Sequence, residues 1–488
     1  MSLMDRARAR LDKLAKERPV LKNVLILLTG TSLSQVFAIG VSIFTARIFS
    51  PEDFGRFALY GAITAVITTI ASLRYDMTIV LPEDDDEARV VGRLATRLNI
   101  IFSITASLLA LLLRNVIIDI WQDEVLATWL PFAGLTVFCV AQVNVLQYWY
   151  NRKTQYGVIA KNRVQQTIGS SGGQLLFGLA GMRSMAGLLF GTLVGQIYAF
   201  LNLHRQSTEF RRQPGPDAPS MREVAKTYKK MPMLNLPNAF IDSIRANGIA
   251  MIIGKIAVGS LGQFNLAWRV LHVPIGLING AVSQVFYREL ARVKPGNMRR
   301  LTRATIKRAA VLSFIPFAII YIISPWLFIF VFGDQWDLAG DIARAITPWL
   351  AMQLITSPIS TVFVVTSKQH WMLVFSIFFA AAPLAFLALS PLEFIDTMTV
   401  VGLIMAGMLI IMLVMADFAA GAYDRDGADQ IRDDSDETKI VTELVSDEPK
   451  GEDESGVASK NETMPDDTAP EGIGKRHSDE PEGESKES

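Results

Sequence analysis

The chain has 488 residues, half of them apolar, and a mean hydropathy of +0.31. That average excludes an ordinary soluble domain and points to long uncharged runs suited to lipid. The formal net charge of zero hides a division: residues 424–488 hold 22 acids and 8 bases, and the first 423 residues hold 25 acids and 39 bases.

In chain order, residues 1–21 form a basic segment without the apolar core or cleavage site of a signal peptide, read as a cytoplasmic interfacial arm. About twelve apolar runs of spanning length follow, near 22–46, 54–73, 92–113, 125–148, 160–182, 184–203, 232–254, 262–287, 307–332, 340–366, 371–390 and 398–421. The expected class is an all-α membrane protein with two six-helix bundles, 22–203 and 231–423, joined by a basic linker, 204–230. The first span carries Thr29, Thr31, Ser32, Ser34 and Gln35 on an apolar background, suited either to sugar hydroxyls in a cavity or to helix contacts. Arg47, at the end of that span, reads as an interfacial anchor. Arg74, Tyr75 and Asp76 close the second span, where Arg74 and Asp76 are candidates for a gate or a fold-locking pair. The fifth span opens on KNRVQQTIGSSGG, too polar and Gly-rich to face lipid.

The seventh span is the most informative. Asn235, Asn238, Asp242 and Arg245 recur at three- and four-residue steps, which places them on one helical face. Ionisable groups inside a span are costly, so each is a candidate for function. Arg245 suits a phosphate, because guanidinium binds phosphate oxygens as a fork; Asp242 either restrains it or accepts a coupling cation. In the eighth span Arg269 and His272 lie one turn apart, a candidate second anionic contact, with headgroup snorkelling and packing as the plain alternatives. Lys and Arg concentrate in 150–163, 204–230 and 288–308, whereas GDQWDLAGD at 333–341 and PLEFID at 391–396 have none. That bias places both termini in the cytoplasm and the protein in the cell's inner membrane. The tail, 424–488, is polar, acidic and nearly free of aromatics, so it is expected to be disordered, either as an arm for polysaccharide polymerase or assembly proteins or as a solubilising segment.

The chain also looks doubled. FGRF at 54–57 and LGQF at 261–264 stand 207 residues apart, each opening a helix after a basic residue, Arg47 or Lys255. Parallel repeats of this kind place a substrate path between halves.

The stretch 45–88, with SPEDFGRF after the first span and LRYDMTIVLPEDDDEA after the second, resembles polysaccharide-transport (O-antigen-type oligosaccharide flippase) members of the multidrug/oligosaccharidyl-lipid/polysaccharide exporter superfamily. SPISTVFVVTSKQ at 357–369 is similar to the same family's tenth-span region. The resemblance implies two facing helical bundles with a MATE-like fold and alternating access. It also implies a polyprenyl-(pyro)phosphate-linked oligosaccharide as substrate, with its lipid tail left among membrane lipids. The first span departs from the lipid II flippases of that superfamily, having no base between Lys22 and Arg47.

Rival readings are weaker on the residues. A cation-coupled multidrug extruder of the same fold needs an acidic site, and only Asp242 offers one in mid-span. A glycosyltransferase needs a DxD metal motif, and Asp84 and Asp86 supply the spacing only inside an acidic loop. No GxxxxGKS or GxxxxGKT segment supports direct ATP drive. Cys139 and the scattered histidines at 204, 272, 370 and 477 offer no metal set, and no cofactor is expected. Bases that lie between apolar runs fit anionic lipid better than nucleic acid.

Overall fold

The computed structural model describes residues 19–290, 293 and 296–446. Among them there are helices and no strand. The long helices are α1 (Pro19–Ile48), α2 (Pro51–Ala71), α3 (Asp85–Leu112), α4 (Ala133–Arg152), α5 (Tyr156–Leu179), α6 (Met185–Gln206), α7 (Leu236–Ile256), α8 (Val258–Leu290), α9 (Met298–Phe332), α10 (Asp337–Ile359), α11 (Gln369–Leu389) and α12 (Phe394–Ser446). At 1.5 Å per residue even the shortest of these matches a hydrocarbon layer about 30 Å thick. Nine segments among the described residues are both long and apolar enough to cross a membrane. The long helices outside that set are α5, α7 and α8, each of which carries amides and charge. The chain is an integral multi-pass membrane protein. Its outermost helices show the reverse pattern: Val311, Leu312, Phe314, Ile315 and Ile322 on α9 are all exposed apolar side chains, as a lipid-facing surface requires.

The two halves meet at a reciprocal contact. A Cβ built on Gly55 of α2 would run into the Val258 carbonyl and come within 3.1 Å of the Gly262 amide nitrogen; one on Gly262 of α8 would run into the Pro51 carbonyl and come within 2.9 Å of the Gly55 nitrogen. Residues 51 and 258, like 55 and 262, are 207 apart. Equivalent positions therefore exchange contacts, as a two-fold relation demands. The spacing of FGRF and LGQF is thus the register of a packing interface, and glycine is needed there because the two backbones touch.

Around this contact the halves are fastened at one end, here called the latched end. Arg47 donates to the carbonyls of Phe330 and Val331 at 3.0–3.2 Å. Trp336, fully buried, donates to the Ala46 carbonyl at 2.7 Å, and Gln335 reaches the same carbonyl at 2.6 Å. Phe54 packs edge-on against Trp336 at 5.2 Å. Arg47 is therefore a clasp between halves and not simply an interfacial anchor: its neighbour in space is the end of α9, which sequence distance conceals.

The other end, the open end, is built differently. The core around Tyr75, Val91, Leu146, Trp149, Ile159 and Leu203 draws only on the first half and the linker. Among the described residues, no hydrogen bond or ion pair between the halves lies there; the inner crossings are Thr69 to Ser243 at 3.1 Å and Arg269 to the Ala38 carbonyl at 3.4 Å.

Several boundaries differ from the sequence reading. The bases at 299–308 ride on α9, which begins at Met298 and not near 307, because Asp424 caps its start by accepting from Gly296 N, Met298 N and Arg299 N at 2.8–2.9 Å. The linker contains a short helix, Met221–Thr227, closed by a capping box of Ser220 and Glu223. α12 runs on to Ser446, through the first part of the segment read as a disordered tail, since extending an existing helix costs less than starting one. The basic arm before residue 19 and the remaining tail, 447–488, lie outside the described residues.

Candidate functional site

The polar residues of α7 sit on one face, as their spacing requires. Two prolines, Pro232 and Pro237, precede or begin the helix; Pro232 lies in a wide π turn, Met231–Asn235. The face opposite the polar stripe packs: Ser243 bonds to Thr69 of α2, and Gly254 lies against Leu59. Asn235, Asn238 and Asp242 are exposed. Arg245 donates to Asp242 at 3.3 Å, with side-chain exposures of 39 % and 68 %. Its Nε is buried and has no partner. The ion pair is long and exposed, so it contributes little to stability. What it leaves available is a guanidinium edge and a carboxylate edge on the same accessible stripe.

On α8 the arrangement is drier. Arg269 lies about 16 Å along the helix from its latched end. It crosses the seam to the Ala38 carbonyl of α1. His272 packs at a tilt against Trp268 at 4.7 Å, and Trp268 likewise against Trp349 at 4.7 Å; the His272 Nδ1 is buried without a partner. Among the described residues no ion pair joins the α7 pair to Arg269 or His272. Gln35 is half-buried on α1, one turn before Ala38. The candidate residues thus occupy α1, α7 and α8, with Arg269 tying α8 to α1 across the seam and the α7 stripe standing apart in contact terms.

Arg74 and Asp76 are not paired with each other. Leu73 and Arg74 adopt left-handed backbone conformations (φ 47° and 66°), which costs a non-glycine residue about 1 kcal/mol or more each. That turn splays the two side chains. Buried Asp76 accepts from Ser72 Oγ at 2.7 Å, and both Arg74 and Asp76 line a polar cavity of about 320 Å³ inside the first half.

The acids of PEDDDEA are committed to structure. Asp84 caps α3 by accepting from Glu87 N at 3.1 Å. Asp86 pairs with Arg89 and accepts from Gly215 N at 3.1 Å. Asp85 binds Arg152 at 3.0 Å and Lys153 at 2.5 Å. The Asp85 hydrogen bond, with Glu209 nearby, holds the Lys153 ammonium above its usual range. The DxD spacing is therefore a cap and an ion pair fastening the linker. Sequence reasoning also missed Asp53: Ser50 caps α2 through Asp53 N at 3.2 Å, while buried Asp53 accepts from Met185 N at 2.9 Å and so caps α6. The local signal, SPED, shows only the cap of α2, because the second helix is 132 residues away.

Comparison with known proteins bears on the same features. Residues 44–340 match the model of a family described as "Polysaccharide biosynthesis protein". No curated protein matches the chain. Among solved structures, it is similar to an inward-facing multidrug resistance MATE family transporter of the MOP superfamily, at 16% identity, covering 82% of this chain and 99% of that one with a TM-score of 0.62. It is also similar to the lipid II flippase MurJ in an inward closed conformation, at 12% identity, covering 83% of this chain and 91% of that one with a TM-score of 0.63. At such identities the likeness establishes the fold, and the family match covers the latch, the α7 stripe and the α8 pair together. The chain belongs to the polysaccharide biosynthesis protein family and has the fold shared by MATE transporters and the lipid II flippase.

Proposed function

We propose that this protein is a flippase that moves polyprenyl-(pyro)phosphate-linked oligosaccharide across the cytoplasmic membrane by alternating access. The observation that carries the reading is the reciprocal Gly55–Gly262 seam, closed at one end by the hydrogen bonds of Arg47 and Trp336. Halves related in this way can rock about a shared contact while a site between them changes sides. All twelve long helices cross the bilayer as two groups of six, and the basic connections 204–230 and 296–308 put the open end in the cytoplasm.

In this mechanism the pyrophosphate meets cationic groups at bilayer depth, Arg245 and Arg269. Asn238 and Gln35 offer amides to sugar hydroxyls, and the prenyl tail stays in lipid. Asp242 keeps Arg245 on the accessible stripe until substrate oxygens displace it, which the long, solvated pair permits. No step makes or breaks a covalent bond.

The test is flipping by the purified chain in vesicles. Lipid-linked oligosaccharide placed in one leaflet should become accessible from the other, and cells lacking the gene should strand precursor in the cytoplasmic leaflet. Precursor that reaches the outer leaflet at the normal rate without this chain would end the proposal. An exposed intramembrane carboxylate at Asp242 is what a cation extruder would use; efflux of cationic dyes abolished by Asp242→Asn would favour that reading instead.

A further inference from the structure

The polar cavity that holds Arg74 and Asp76 is lined wholly by the first half, between the end of α2, α4 and α5. Arg163 is exposed at its edge and donates to the Gln147 side-chain oxygen at 3.3 Å. Arg74 stands in its wall with Nε buried and without a partner. Asp76 is the one acid of the lining and is already engaged by Ser72. Two guanidiniums against one carboxylate leave the cavity with a net charge of +1. Asn144 and Asn151 add amide donors and acceptors, and Tyr148 and Tyr156 add rings against which the C–H face of a sugar packs. At about 320 Å³ the space is at the small end of ligand sites, suited to one sugar unit.

The strained turn supports a ligand role. Left-handed Leu73 and Arg74 persist because the surroundings over-determine them: Tyr75 N bonds to the Ser72 carbonyl at 3.0 Å, and Tyr75 Oη donates to the Ala225 carbonyl at 3.0 Å. The result is a guanidinium held in the cavity wall, with its buried Nε unpaired.

We propose that this cavity docks a single carboxylate-bearing sugar unit, with the carboxylate between Arg74 and Arg163 and the hydroxyls on the amides. A monoanion matches the net charge of the lining, whereas a phosphate dianion would be repelled by Asp76. That the sugar belongs to a glycan head in transit rests on the proposed function above; the binding itself does not.

The test uses the full-length chain in detergent micelles with sodium glucuronate, glucose and inorganic phosphate as probes, read by saturation-transfer NMR. Glucuronate should show transfer and outcompete both others. Asn151→Asp, which cancels the net charge at an exposed position, and Arg163→Gln should each weaken glucuronate binding about tenfold. Arg344→Gln, a charge loss on α10 in the second half, should leave it unchanged. No glucuronate transfer, glucose or phosphate binding as well as glucuronate, or Asn151→Asp binding it normally would overturn the site. The vesicle assay separates the two ideas: a chain that flips precursor but ignores glucuronate loses only this cavity, and one that binds glucuronate but flips nothing keeps it.

Discussion

The latched and open ends treat the seam between the halves in opposite ways. At the latched end, Arg47, Gln335 and Trp336 cross it, and all three bond to backbone carbonyls. At the open end charge is abundant, but each cluster closes within one half: Asp85 with Arg152 and Lys153 in the first, Asp417 with Arg299 and Arg303 in the second. The contrast separates two jobs. Ion clusters make each half rigid near the interface, where charge is well solvated. The clasp consists of hydrogen bonds to carbonyls that water can replace, so it can part without stranding a buried charge.

The strongest way to break this contrast is at the glycine contact itself. Gly262→Leu pushes a side chain into the Pro51 backbone, which cannot move aside, and should destabilise the fold by about 3 kcal/mol, seen as a lowered melting temperature or loss of the monodisperse protein. A normal melt would mean that the two backbones do not touch there.

Next in size is the α7 stripe. Arg245→Ala should cut flipping about tenfold or more through lost charge-assisted bonds to phosphate. Because its pair with Asp242 is largely solvated, the melt should stay almost unchanged. Full flux in a folded variant would remove Arg245 from the passage.

The clasp comes third. Trp336→Phe keeps the ring and deletes one hydrogen bond to Ala46, worth about 1 kcal/mol, so the population with a parted latch should rise about fivefold. The labelling rate of Ala46→Cys, buried while the latch is shut, reads that shift directly.

The smallest effect sharpens the open end. Ser220→Ala removes the cap of Met221–Thr227 and should speed amide exchange there about fivefold without touching the latch. The Ser220 backbone N–H holds the Glu223 carboxyl below its ordinary range. This contribution is therefore complete above the usual glutamate pKa of about 4.3 and fades as pH falls through the lower folded value. The protection of 221–227, taken as exchange relative to the intrinsic rate at each pH, should fall below about pH 4 and stay flat above it.

Much of the fold is legible in the sequence, and the parts that are not share one cause. The apolar runs mark the long helices, with an end 25 residues out at α12, and the 207-residue spacing matches the register of the Gly55–Gly262 contact. The α7 stripe follows from three- and four-residue steps alone. The partners of Arg47, Asp53 and Asp85 escape a sequence reading because they lie 283 or 284, 132, and 67 or 68 residues away. Of the two expectations for Arg74 and Asp76, a gate or a fold-locking pair, the pair is not formed, because a left-handed turn separates the side chains and Asp76 bonds to Ser72 instead.

Sequence by itself determined a helical membrane protein, its repeat, its asymmetric charge and which residues would be expensive to place in lipid, because hydropathy and helical period are local properties. Tertiary structure alone decided which end is clasped, which acids cap helices, and that Arg74 and Arg163 share a cavity. Those outcomes depend on which helices lie side by side, and hydrogen bonds and ion pairs act over a few ångströms of space however long the intervening chain.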